Sequence, residues 1–386
     1  MLRPLLALPL ALLVYAPRAA AQSPNETRPT LTPTLAAQLR FTASGVVDGD
    51  LADPVLELRR LRPGLRVIAL DHRLSAQVVL NTTPSALEVI DAWAEYALTP
   101  SLRLRAGQTK QPFTAYRLRS FTELAFVDWA LVTRPFGGER QLGVELHDRG
   151  SALPVEFSVG VWNGTTMRAA HGQGVAGVYA ESVENLSDLR AVHLPDAPHP
   201  ELTGRVAWRS ARDRAVRVDL GFNTTVDLRP VVAHDFRASF APEAALSVGP
   251  LTAELTGYVG LAELVEGPGV GVLAGVLGEL RAKVHDRVTV GLRYARVESG
   301  ADLRGDARAR AERIILESAM DQRTTVQRRY ADAGRVHYEQ ELSAGLVVRL
   351  IGNTLAWQSD FGWLRTERDA GGRDELRGRT QLQVVF

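Results

Sequence analysis

The 386-residue chain contains no cysteine. A disulfide framework and a thiolate-bound metal are therefore both excluded. Lysine is almost missing: Lys110 and Lys283 are the only two among 45 basic residues, and the rest are arginine. Arginine offers a planar fork of donors where lysine offers a point charge, which shapes how an anion would be held. With 44 acidic residues the formal net charge is only +1, so bulk basicity gives no reason to expect a nucleic-acid partner. Long apolar runs are lacking too. Beyond residue 21 no stretch of about 18 apolar residues occurs, which argues against a transmembrane helix. The mean hydropathy of −0.06 agrees.

What is present begins with an export signal. Arg3 supplies a positive start, Leu5 to Tyr15 is a short apolar run broken by Pro9, and Ala19-Ala20-Ala21 offers a small-residue cleavage site. Residues 1–21 are expected to be a signal peptide, 22–35 a Pro/Thr-rich periplasmic leader, and 36–386 one barrel domain.

The far end shows what that domain is. From Leu376 to Phe386, Leu376, Gly378, Thr380, Leu382, Val384 and Phe386 alternate with Arg377, Arg379, Gln381, Gln383 and Val385. Strict alternation specifies a β-strand with two different environments. A last amphipathic strand ending on Phe is what a membrane barrel needs, because an open sheet edge does not survive in lipid. Such a terminus is also expected to be the contact with the barrel-assembly machinery. About sixteen alternating stretches recur between 36 and 386, within the even-numbered range of such barrels.

Their connections fall into two sets. Those at 70–72, 99–100, 149–151, 211–214, 249–250, 285–286 and 352–353 are tight. Those at 109–139, 164–202, 224–236, 260–272, 299–336 and 366–375 are longer, and only 82–85 is brief on that side. Short turns at one rim and long loops at the other mark an outer-membrane β-barrel. The expected fold is all-β, a transmembrane antiparallel barrel of about 16 strands. Helical character is expected in two outer loops, at Ala307 to Tyr330 and Glu181 to His193.

Alternation also sorts charge. Val216, Val218, Leu220 and Phe222 oppose Arg217 and Asp219; Leu280, Ala282 and Val284 oppose Glu279, Arg281 and Lys283. An arginine facing lipid near the midplane costs roughly 2–4 kcal/mol, so the charged rows face a wet lumen.

One region carries a family resemblance. Arg59, Arg60 and Arg62 are followed by Asp91, Trp93 and Tyr96. Gly107, Gln108, Lys110, Pro112 and Phe113 come next, then Phe126 and Asp128, and then Arg140, Leu142, Gly143 and Val144. In this order, within residues 57–166, they resemble the phosphate-selective porin O/P family of bacterial outer-membrane channels. The resemblance implies a trimeric sixteen-stranded porin whose third outer loop, here 109–139, folds into the lumen. Its solutes would be small anions such as phosphate.

The densest cationic group lies at that loop. Arg103 and Arg105 lead in; Lys110, Arg117, Arg119, Arg134 and Arg140 lie on it or just beyond. Arg217, Arg281, Lys283, Arg377 and Arg379 are lumen-facing by alternation. Guanidinium forks suit phosphate and carboxylate oxygens, and a conducting site must bind anions weakly enough to release them. The competing expectation is that these arginines pair with Glu123, Asp128, Glu139, Glu145, Asp219 and Glu279 and merely brace the wall. Tyr96, Tyr116, Trp129 and Trp162 fit loop packing or a rim girdle better than a sugar track, and Trp357 and Trp363 fit a rim girdle or a subunit contact. His171, His193 and His199 share a loop at no spacing that compels a metal, and no cofactor is implied. Two rival classes remain. A general solute or sugar channel needs only the lumen. A closed-lumen receptor or enzymatic barrel would need loop-borne specificity or a nucleophile with a base, and no Gly-x-Ser-x-Gly is present.

Overall fold

A computed structural model describes residues 29–47, 49, 54–83, 86–133, 135–136, 138, 140–148, 154–163, 200–211, 215–228, 236–264, 267–317, 320, 323–324 and 334–386. The expected signal peptide at 1–21, Arg134, Glu139, the three clustered histidines and Glu181 to His193 lie outside the described residues.

Sixteen strands form one closed barrel in which every strand pairs with its sequence neighbours. They are β1 (Thr30–Val46), β2 (Val55–Ala69), β3 (Leu74–Thr83), β4 (Ala86–Ala97), β5 (Leu102–Lys110), β6 (Arg140–Asp148), β7 (Val155–Trp162) and β8 (Glu201–Arg209). The second half adds β9 (Val216–Asp227), β10 (Phe236–Val248), β11 (Leu251–Glu263), β12 (Val270–His285), β13 (Val288–Ser299), β14 (Val336–Ile351), β15 (Leu355–Arg368) and β16 (Gly371–Val385). Closure is antiparallel, with Ala36 opposite Val385 and Val46 opposite Glu375. Leu35 and Phe386 exchange both backbone hydrogen bonds, so the last residue completes the seam.

The alternation reads out as expected. Leu142, Val159, Leu220, Leu255, Leu292 and Phe361 stand exposed on the outside, while Gln38, Glu145, Asn223, Arg293 and Gln358 are buried within. This inverts a soluble protein: the apolar surface is outside, where hydrocarbon solvates it, and the polar surface is inside. No helix among the described residues is long and apolar enough to cross a membrane.

Several boundaries differ from expectation. β1 starts at Thr30 rather than 36, because Thr30 to Leu35 find a full set of partners from Pro63 to Ile68. The connection expected at 366–375 is a hairpin, with Arg368 opposite Gly371. The outer ends of β9 to β12 likewise run past the expected limits, to Asp227 and Glu263 and back to Phe236 and Val270. Residues 366–375 are nearly all polar, so alternation of hydrophobicity fades there while strand pairing continues, whereas the outer ends of β11 and β12 keep Leu261, Val270 and Val272. Of the loop helix expected over Ala307 to Tyr330, the described part is helical over Ala301–Glu317, starting six residues earlier than expected, and 318–319, 321–322 and 325–330 lie outside the described residues. Its Leu303, Ala307 and Ala311 are buried.

The third outer loop, 111–139, supplies the inner core. Phe113, Tyr116, Leu124, Ala130, Val132 and Phe136 cluster with wall residues Ala241, Tyr258, Leu273, Leu277, Ala295 and Val297, and with Leu303 of the loop helix. An apolar core thus fills one side of the lumen, against β10 to β14. The wall is shaved to receive it: a Cβ on Gly345 would lie 2.5 Å from the Ala125 carbonyl oxygen and 2.8 Å from the Phe126 ring.

Candidate pore constriction

The loop leaves β5, crosses the lumen and returns to β6. It opens after Gly107, whose φ of 126° is open to glycine and strained for other residues. Helix α1 (Ala115–Leu118) follows, its N-terminal amides bonded to the wall: Thr114 N donates to Asn223 (3.1 Å) and Ala115 N to Glu243 (2.7 Å). Farther along, Thr122 and Leu124 carbonyls accept from Gln383 (3.3 Å) and Gln358 (2.9 Å), and Val127 N donates to Asp360 (2.9 Å). The loop is folded inward and anchored to both sides of the barrel.

Asp128 is the main anchor. Its carboxylate meets Arg40 and Arg60 at 3.2 Å each and Arg59 at 3.6 Å. Arg59 and Arg60 are consecutive yet both reach inward. The ladder between β1 and β2 slips there, Gln38 facing Arg60 and Leu39 facing Leu58, and such a bulge turns two adjacent side chains to one face. Burial alone would raise the Asp128 pKa, but Arg60, Arg40, Arg59 and Arg379 outweigh it and hold the carboxyl well below the usual range. Tyr116, wholly enclosed, is pushed up to about 12 by burial and stays neutral. Its hydroxyl accepts from Arg293 and from Ala130 N, at 3.3 Å each.

Most of the expected anion-binding arginines are already paired. Arg103 and Arg105 converge on Glu95 at 3.0 and 2.5 Å, and His147 reaches the same carboxylate at 3.0 Å. Arg105 also stacks on Trp93 and approaches Glu145 at 3.7 Å. Arg119 and Arg281 share Glu254, and Arg281 lies 3.2 Å from Glu279. Arg140 grips Asp91 with two hydrogen bonds, of 2.9 and 3.2 Å. Arg379 grips Asp360 likewise, and Arg377 approaches Glu341 at 3.8 Å. Arg117 is buried beneath Trp129 and donates to Gly138 O.

Two expectations are corrected. Lys283 does not meet the constriction; it sits at the tight-turn rim, bridging exposed Asp286 at 2.8 Å. Tyr96 is exposed on the outer face beside Arg73 near the tight turn at 99–100, a place that suits the expected rim girdle and not a sugar track. Glu123 caps a short turn with Ser120 rather than an arginine. Arg217 is lumen-side but exposed near the tight-turn end of β9, with no partner among the described residues. The structural role expected of the aromatics holds for Tyr116, Trp129 and Trp162 as well. Trp162 is buried and donates to Thr203 (2.8 Å), and Tyr116 packs edge-on against Trp129.

Two cations beside the inward loop, Arg62 and Lys110, have no carboxylate partner within ion-pair distance among the described residues. Arg62 bonds the Asn81 amide oxygen (3.1 Å) and lies over Phe121. Lys110 donates to the carbonyls of Arg117 and Arg119 at the end of α1 and faces Trp129. Arg62, Lys110 and Arg140 act on one another electrostatically, with Asp91 the opposing charge. Arg62 was visible within an arginine-rich segment. Its place in the lumen was not, because the bulge at Arg59 resets the alternation. Arg40, which completes the Asp128 anchor, had no signal beyond its own strand.

No protein-family model and no curated protein sequence matches the chain. Solved structures do. The outer membrane channel DcaP of Acinetobacter baumannii superposes with a TM-score of 0.57 at 12% identity, covering 95% of this chain and 100% of that one. An anion-selective porin from Comamonas acidovorans gives 0.59 at 12% identity, covering 93% and 100%. OprB of Pseudomonas putida gives 0.58 at 8% identity, covering 92% and 94%. At these identities the likeness establishes the fold: this chain has the sixteen-stranded barrel of outer-membrane porins and channels.

Proposed function

We propose that the chain is a bacterial outer-membrane porin through which small solutes diffuse passively, anions in preference. It is exported by residues 1–21, inserted through recognition of its terminal strand and Phe386, and assembled as a homotrimer. It carries out no chemistry and requires no cofactor. The observation that carries the anion preference is the group of Arg62, Lys110 and Arg140 beside the inward loop, with Asp91 the carboxylate that opposes it among the described residues. A small anion gains from such a site, yet the donors' existing bonds to Asn81, Asp91 and backbone carbonyls let it leave again. Phosphate fits the chemistry of the guanidinium forks, and the Comamonas protein of like fold is anion-selective.

The test is the reversal potential of the purified protein in a planar bilayer under a chloride gradient. The expected sign is anion-preferring, and Arg62→Gln is expected to bring the permeability ratio toward one. A cation-preferring reversal potential, or no effect of the substitution, would overturn the reading. One observation favours a general solute channel instead: Arg103, Arg105, Arg119, Arg281 and Arg379 are all neutralised by neighbouring carboxylates. That reading requires a permeability ratio near one in the unaltered protein.

A further inference from the structure

A second feature of the lumen lies away from that cationic group. Between α1 of the inward loop and the inner wall of β8 to β11 is a cavity of ≈ 370 Å³. This is at the lower end of the roughly 300–1,000 Å³ typical of small-molecule sites. Ala207, Ala245 and Tyr116 give it an apolar floor, and Arg119, Arg205 and Arg209 meet Asp219, Glu243 and Glu254 around it.

The charges are not simply matched neighbour to neighbour. Arg209 and Asp219 face each other directly across β8 and β9. Opposite charges so placed ordinarily pair. Here Arg209 turns instead to Glu156 on β7, at 3.0 Å, with its side chain 41% exposed. Asp219 is left exposed, with no ion pair or hydrogen bond among the described residues. Glu243 is already taken by Arg205 (2.9 Å) and the Ala115 amide, and Glu254 by Arg119 and Arg281. What the cavity leaves open is therefore the Asp219 carboxylate and the exposed part of the Arg209 guanidinium, which also holds Glu156 on β7.

We propose that this cavity is a binding site for a small zwitterion with an aliphatic side chain, of the α-amino-acid class. The ammonium sits on Asp219, the carboxylate on Arg209, and the side chain on the Ala207–Ala245–Tyr116 floor. A solute with only a carboxylate would be repelled by Asp219, and one with only an ammonium by Arg209. The site thus selects for both charges together, which the cationic group at the loop does not.

Equilibrium titration of the detergent-purified full chain tests this with three probes of similar shape: L-leucine, 4-methylpentanoate and 3-methylbutylamine. Leucine is expected to bind at least tenfold tighter than either singly charged analogue. Asp219→Asn is expected to weaken leucine about tenfold and 4-methylpentanoate not at all, and Ala245→Phe, which fills the cavity, to abolish leucine binding. Equal affinity for leucine and 4-methylpentanoate, or leucine binding that survives both substitutions, would overturn the proposal. Because the readout is equilibrium binding, its failure is distinct from a failure of the barrel to conduct or to prefer anions.

Discussion

Asp128 shows how one side chain can hold a loop inside a pore. Three guanidiniums converge on it, and none has another carboxylate so near among the described residues. Removing one partner of a buried ionic cluster costs about 3–5 kcal/mol, since the charges left behind have no counterion. Asp128→Asn is therefore expected to loosen the docked loop, seen as faster amide exchange over residues 113–133 and a noisier open-channel current. Unchanged exchange would mean that the apolar cluster alone holds the loop. The sign of the pH dependence follows from the depressed carboxyl pKa. The stabilisation is complete above the unfolded value of about 3.9 and is lost only as pH falls through the lower folded value. Between pH 7 and 4 the exchange protection of this loop should stay flat. A protection loss centred near pH 5 or 6 would assign the anchor to another group.

At the level of elements, the loop and the strands were specified by different signals. Sixteen strands and their turns were legible because a barrel wall alternates between hydrocarbon and water at every second residue, and each tight turn interrupts that rhythm. The outer ends of β9 to β12 and the hairpin at 369–370 were not; in the hairpin, the strands that leave the lipid lose the apolar half of their pattern. The loop's inward course came from a family resemblance. Its anchors depended on facts invisible to alternation: a bulge at Arg59, and glycines on strands distant in sequence. Gly345 is the sharpest of these. Its missing side chain admits Ala125 and Phe126, and backbone atoms at 2.5 Å cannot yield as a flexible side chain would. Gly345→Val should leave the barrel assembled, with undocking of the loop and a larger single-channel conductance. A variant with unaltered conductance would show that β14 bends away at little cost. Pairing of most arginines with carboxylates was foreseen as the alternative to solute binding. The actual partners, Glu95, Asp91, Glu254 and Asp360, could be chosen only with the strand register in hand.

The whole molecule depends on β1 meeting β16, because an unpaired edge in hydrocarbon leaves a row of backbone donors and acceptors with no partner. The absence of cysteine makes that seam open to a clean test. Leu35 and Phe386 exchange both hydrogen bonds. The next pair, Ala36 and Val385, is then a non-hydrogen-bonded pair, whose Cα atoms lie about 4.5 Å apart in an antiparallel ladder. That separation falls within the roughly 4.4–6.8 Å that a disulfide spans. Ala36 lies in register with Val385 and Ala37 with Val384. Mild oxidation of Ala36→Cys/Val385→Cys in the folded protein should therefore join the chain's two ends. The denatured product would then migrate faster than its reduced form. In Ala37→Cys/Val385→Cys the two thiols point to opposite faces of the wall, and the same oxidant should leave the chain linear. Cross-linking in both variants would indicate a frayed seam, and cross-linking in the second alone a register slipped by one residue. A slip of that kind would turn Arg377 and Arg379 toward lipid at a cost of about 2–4 kcal/mol each near the midplane. The register of the seam and the placing of charge in the lumen are therefore one constraint, and it acts on the whole circumference at once.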